Sequence, residues 1–182
     1  MSLYADDSAV KSEMIRSLHR WWLSKCAGDI PDRADFDPVD MKLLLPNLFI
    51  ADVEHQPFRI RFRLVGTRAV EATGMDITGC YLDELLPPNP DEPWQDYYRC
   101  AYEERAPVFG CSEAPTTSGG RFSYEFGLFP LRRGGREVAQ FVSIEDYFEL
   151  TSTLTELKEW QEKRIAEGQT PPPQNPPPRR RR

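Results

Sequence analysis

The stretch NLFIADVEHQPFRIRFRLV, residues 47–65, carries the pattern that decides the fold. Asn47 to Glu54 is apolar and rich in β-formers, His55-Gln56-Pro57 interrupts it, and apolar and basic residues then alternate to Val65. Phe58, Ile60, Phe62 and Leu64 fall on one side of a period-two element. Arg59, Arg61 and Arg63 fall on the other, as in a strand with one wet face. The short interruption makes the two runs an antiparallel hairpin. Three arginines across from a strand carrying Asp52 and Glu54 predict cross-strand ion pairs, with an anion site as the alternative.

Downstream of the hairpin, Thr67 can cap a short helix through Val70 and Ala72 to Gly74. Asp76 to Gly79 then turns into a brief segment, Tyr81 to Leu86. Asp91-Glu92-Pro93 opens a longer helix to about Arg105, with Trp94, Tyr97, Tyr98, Ala101 and Tyr102 on its apolar side. Three strands follow, from Pro107, Arg121 and Arg136, with turns at Ser118-Gly119-Gly120 and Gly134-Gly135; they form an antiparallel meander. Upstream, Val10, Met14, Ile15, Leu18, Trp21, Trp22 and Cys26 make one stripe of an amphipathic helix spanning Ser8 to Cys26. Its adjacent tryptophans either dock on the domain's own sheet or form a dimer seam. Asp37-Pro38 reads as the start of a short helix ending at Pro46.

The resulting order is β-β-α-α-α-β-β-β with a helix on each side. This is an α+β fold: a five-stranded antiparallel sheet with helices on one face. The expected organisation is an N-terminal amphipathic helix (1–30), the sheet domain (31–148), a charged C-terminal helix (149–168) and a disordered Pro/Arg tail (169–182). Leu150, Leu154 and Leu157 form the apolar side of the C-terminal helix, too short a stripe for a coiled coil by itself.

The net charge of −6 conceals an asymmetry. Residues 169–182 hold four arginines and no acid, so the preceding body carries 19 basic against 29 acidic residues, or −10. Such a body is a poor general nucleic-acid binder, and no specific nucleic acid is expected as a partner. Arg179, Arg180, Arg181 and Arg182 allow at most weak contact with an anionic membrane. No run of eighteen apolar residues spans a bilayer, and the acidic N-terminus is unlike a signal peptide. Four cysteines without a CxxC fit reduced thiols in the cytoplasm.

Several chemistries fail on spacing. Counted from Asp29, a calcium loop would place Ala34 where glycine is required. Gly74 and Gly79 have phosphate-loop spacing, but Cys80 and Tyr81 stand where Lys and Ser/Thr are needed. Two isolated histidines and scattered cysteines supply neither a zinc site nor a catalytic triad with a nucleophile elbow. The expectation is therefore not an enzyme.

On these residues the chain resembles the PAS domain family, specifically a bacterial PAS subfamily with a Trp-containing N-terminal helix. The matching motifs are Trp22 with PDRADFDP at 31–38, Leu45-Pro46 with Asp52-Val53, RFRLVGT at 61–67, GMDITG at 74–79, and Phe129-Pro130-Leu131. The resemblance implies a sensory and interaction module: a cavity between sheet and helices, and flanking helices that dimerise or pass on a signal. With no effector domain after residue 146, a stand-alone regulator acting on another signalling protein or as a homodimer is expected. Trp21, Trp22, Leu150, Leu154 and Leu157 are its candidate dimer or partner surface.

No cofactor is expected. Haem needs an axial ligand, and His19 and His55 are not on a cavity wall. The flavin-photosensor motif Asn-Cys-Arg is missing around Cys80 and Cys100, which argues against flavin. What remains is a filled core, the favoured reading, or a pocket for a small apolar molecule. In the pocket case Phe62, Leu64, Tyr97, Tyr98, Phe122, Tyr124, Phe126 and Phe141 line it, with Arg63 as polar anchor if a bulge turns it inward. The competing fold is a nuclear-transport-factor-like barrel, hosting an isomerase or hydrolase with Asp52, Asp76 or Asp146 beside Tyr124. That fold lacks an opening hairpin before its helices.

Overall fold

In the computed structural model, which describes residues 2–85, 93–115 and 121–147, the chain builds one antiparallel sheet. Its strands are β1 (Ser2–Leu3), β2 (Leu48–His55), β3 (Phe58–Val65), β4 (Val108–Pro115), β5 (Arg121–Arg132) and β6 (Val138–Asp146). Their spatial order is β1-β4-β5-β6-β2-β3. The opening hairpin and the closing meander thus join through β2 and β6, at pairs such as Ile50 with Val142. The five expected strands are all present. The sixth, β1, has only two residues, too few for any alternation to reveal it, and it extends the sheet along β4. The hairpin precedes the helices α2 (Thr67–Thr73), α3 (Leu82–Leu85) and α4 (Trp94–Glu104), which removes the barrel alternative.

The sheet has two covered faces. On the inner face, α4 lays Trp94 and Tyr97 against Phe126 (ring centroids 4.6 and 5.9 Å) and Tyr98 against Phe141 (5.0 Å). On the outer face, α1 (Glu13–Lys25) buries Ile15, Leu18 and Trp22. There Ile15 packs against Gly127, and His19 packs against Phe109 and Phe129. Phe126, Phe129 and Phe141 are fully buried, so β5 and β6 form the centre of a three-layer arrangement.

Three boundaries differ from expectation. The N-terminal helix begins at Glu13, because Ser12 is its cap: the hydroxyl accepts from the Ile15 N–H. Val10 is extended and separates α1 from a single 3₁₀ turn at Asp7–Ala9. Residues 38–44 form turns, and only Leu45–Asn47 is a 3₁₀ helix. Met41 and Leu44 are buried there, while Val39 and Leu43 on the same segment are exposed. At α2 the cap is Gly66, one residue before Thr67. The compact unit spans Met1–Tyr147; Phe148–Arg182, which includes Leu150, Leu154, Leu157 and the four terminal arginines, lies outside the described residues.

Candidate functional site

The sequence motifs turn out to be clamps. Asp32 accepts hydrogen bonds from the Ala34 and Gly134 N–H groups and from the Arg132 guanidinium, while Arg132 also donates to the Ile30 carbonyl. Those amides hold its carboxyl below the usual range. The PDRADFDP segment therefore ties the strap after α1 to the β5–β6 turn. Gly66 packs so closely on Pro46 that a Cβ would lie 2.3 Å from the Pro46 carbonyl oxygen. In GMDITG, Asp76 accepts from the Thr78 N–H, and Gly79 adopts φ +86°, a left-handed conformation suited to glycine. Gly79 donates to the Phe62 carbonyl and Phe62 donates to that of Cys80, so the loop is stitched onto β3. These contacts fix backbone.

The inner face gathers seven of the proposed pocket residues. Phe126 stacks on Tyr97, and Phe141 meets Tyr98 edge-on. Phe122 and Tyr124 both contact Tyr147, at 5.9 and 5.5 Å, and Phe62 lies against Phe49. The Tyr98 and Ser143 hydroxyls are 3.4 Å apart. Burial pushes the Tyr98 hydroxyl above its ordinary range, and it pushes the neighbouring Glu145 carboxyl up to about 7. Between β3, α3 and α4, Phe58, Ile60, Leu82 and Gln95 leave a void of about 10 Å³, room for one water.

Leu64 and Arg63 are elsewhere. Ile50 pairs with Leu64 but Ala51 pairs with Phe62, so Arg63 is the extra residue of a β-bulge. The bulge reverses the alternation: Phe62 faces inward, while Leu64 lies opposite Ile50 on the outer face. Arg63 turns outward too, 54% exposed, with its Nε 3.1 Å from Asp52. Of the other hairpin arginines, Arg59 pairs with Asp83 and Glu84 of α3 and lies 3.7 Å from the Tyr81 ring centroid. Glu54 instead accepts from the Tyr81 hydroxyl.

Beside the bulge, on the part of the outer face that α1 leaves uncovered, lies a cleft of about 530 Å³. Asp32, Arg33, Ala34, Ile50, Arg63, Leu64, Arg133 and Gln140 line it. Gln140 is 7% exposed. Its Nε2 donates to Asp52 over 2.5 Å, while its Oε1 is buried without a donor among the described residues. Sequence reasoning missed Gln140, although a polar residue inside the apolar run from Val138 to Ile144 was a visible signal.

Trp22 and Trp21 serve the fold. Trp22 is buried and donates to the Pro130 carbonyl; Trp21 packs edge-on against Phe36. His19, on the sheet-facing side of α1, lies beside Asp7, and His55 lies at the hairpin tip near Tyr102. Among the described residues no group of acids, histidines or cysteines is arranged to hold a metal. No described helix is long and apolar enough to cross a membrane.

A two-faced antiparallel sheet with an aromatic inner layer and a clamped N-terminal helix is the architecture of a PAS module, and the family comparison agrees. The PAS domain family matches residues 10–144, so this chain belongs to the PAS domain family, a class of sensory modules. No curated protein matches it. Among solved structures it is similar to a light-oxygen-voltage domain studied with a flavin analogue, at 16% identity, TM-score 0.48, covering 69% of this chain and 93% of that one. An RNA-binding light-oxygen-voltage receptor is 19% identical with TM-score 0.48, covering 79% of this chain and 41% of the receptor. A PAS domain from Colwellia psychrerythraea is 13% identical with TM-score 0.43, covering 62% and 98%. The missing Asn-Cys-Arg motif speaks to cysteine photochemistry alone, so the expected absence of a flavin does not follow from it.

Proposed function

We propose that the chain is a PAS regulatory module of bacterial signalling that acts by protein–protein contact, as a homodimer or with another signalling protein. The supporting observation is a set of large apolar side chains left in water beside the clamped strap. Val39 is 73% exposed, Leu43 is 81% exposed, and both lie on the turns of residues 38–44. A single exposed leucine is ordinary; two such residues on one short segment are apolar surface that a partner would cover. Leu23 on α1 adds to the exposed apolar surface. Leu150, Leu154 and Leu157 are assigned the same role from sequence. The inner aromatic face is where a small apolar ligand would act, and the four free cysteines fit a cytoplasmic location. The Arg179–Arg182 cluster contributes at most weak anionic-membrane contact.

Native mass spectrometry of the full chain tests this reading, because it reports oligomeric state and any retained ligand together. The expected species has twice the 21.0 kDa chain mass, and the double substitution Val39→Asp with Leu43→Asp returns it to a monomer. A wild-type monomer at high micromolar concentration would overturn the homodimer.

A further inference from the structure

We propose that the outer-face cleft is a second ligand site, distinct from the inner aromatic face, and that it takes a small organic carboxylate with an apolar body and an N–H or O–H donor. Three features of the cleft specify that chemistry separately.

The first is the buried carboxamide of Gln140. Amide oxygen and nitrogen are ordinarily hard to distinguish, but Asp52 is an acceptor and fixes Nε2 toward itself. Oε1 is thereby left as an acceptor without a donor among the described residues, on a side chain that lines the cleft. A buried unpaired acceptor is costly; Oε1 has almost no open surface in this structure, and a ligand N–H or O–H group satisfies it once a small shift of the lining exposes it.

The second is charge. Arg33, Arg63 and Arg133 line the cleft in a body that is otherwise strongly acidic. Arg133 has no ion-pair or hydrogen-bond partner among the described residues. Arg63 uses its Nε on Asp52, and Arg33 donates from Nη1 to the Phe36 carbonyl, which leaves other guanidinium N–H groups for an anion. The acid in the lining, Asp32, is already committed to Arg132 and to the Ala34 and Gly134 amides.

The third is shape. Ile50 and Leu64, paired across the bulge, supply the apolar part of the lining. Leu64 is 44% exposed, apolar surface that a ligand body would cover. A volume of about 530 Å³ lies within the range of small-molecule sites, about 300–1,000 Å³.

The test uses the full 182-residue chain and three probes: indole-3-acetate, its 1-methyl derivative without the N–H, and indole-3-ethanol without the carboxylate. Binding is followed by NMR at the Ile50 and Leu64 methyls and the Gln140 carboxamide, and by calorimetry. Indole-3-acetate is expected to shift all three signals and to bind about tenfold more tightly than either analogue. Arg133→Ala, an exposed position, is expected to abolish the preference over indole-3-ethanol. Gln140→Leu is expected to abolish the preference over the 1-methyl derivative, with thermal melting confirming that it folds. The proposal is overturned if indole-3-acetate at about 10 mM, far above any useful affinity, leaves those signals unmoved. Equal affinity for the three probes overturns it too. Shifts at the same residues on raising protein concentration without probe overturn it as well, because a second copy would then be the occupant.

Discussion

The Trp22 indole N–H donates to the Pro130 carbonyl over 2.9 Å, joining the N-terminal helix to the central strand across 108 residues of chain. β4 ends opposite Leu128, so Pro130 lies beyond that pairing, and its missing N–H breaks no bond to β4. Its carbonyl is taken by the indole. Trp22→Phe keeps much of the buried ring but leaves the carbonyl unpaired, which costs about 1–3 kcal/mol. The expected result is a lower urea midpoint with an unchanged denaturant slope. An unchanged midpoint would mean that the hydrogen bond contributes nothing.

Gly66→Ala is a sharper test of how the motifs work. The added Cβ would meet backbone, at 2.3 Å from the Pro46 oxygen and 2.8 Å from that of Leu45. Neither atom can yield by a rotamer change, so β3 and the 3₁₀ turn must part. A loss of more than about 2 kcal/mol is expected, in the range of backbone strain and packing defects. Gly135→Ala is the control, with nothing within 4 Å of the built Cβ and an expected change within about 0.5 kcal/mol. Similar thermal shifts for the two variants would refute the close-approach account.

Ser12 caps α1 and also anchors it. Its hydroxyl accepts from the Ile15 N–H and donates to Asp146 over 2.5 Å, while its own N–H donates to buried Glu125. Ser12→Ala removes the two side-chain bonds together. The expected cost is about 1–3 kcal/mol, that of a lost cap together with a part-buried carboxylate deprived of a donor. Amide hydrogen exchange is the measurement, with protection at Ile15 and Arg16 falling first. If those amides kept their protection, Ser12 would not be the anchor.

The hairpin, the meander and the central helices were legible because each rests on local pattern and turn chemistry. The GMDITG and RFRLVGT motifs were legible as punctuation; that Gly66 is squeezed by Pro46 was not, since the clash depends on a tertiary approach. The bulge at Arg63 defeats strand alternation for the same reason. Nothing in FRIRFRLV shows that Arg63 is left without a partner, and so Leu64 was expected beside Phe62. The outer cleft was the least legible feature. It assembles residues 32–34, 50, 63–64, 133 and 140 from separate segments, and only Gln140, polar within an apolar run, signalled it.

The pH dependence of stability follows from Glu145. Its carboxyl sits near Tyr98 and Tyr147; burial raises it to about 7, and a hydrogen bond donated by the Tyr147 hydroxyl offsets that only in part. An unfolded glutamate titrates near 4.3. Between these values the native state holds a proton that the unfolded state has lost, so the contribution is fully present below about pH 4 and is lost as pH rises through about 7. Asp146, also raised by burial, acts in the same direction from its own lower starting value. Asp29, Asp32 and Asp83 are held below their usual range by hydrogen bonds and act oppositely, but only in more acidic solution. The chain is therefore expected to be more stable near pH 5 than near pH 8, by at most about 3 kcal/mol. Glu145→Gln, which stays neutral and can still accept from Tyr147, flattens that window. Urea titrations of both proteins at the two pH values decide the matter: a wild-type midpoint that rises from pH 5 to pH 8 reverses the sign and removes Glu145 as the cause.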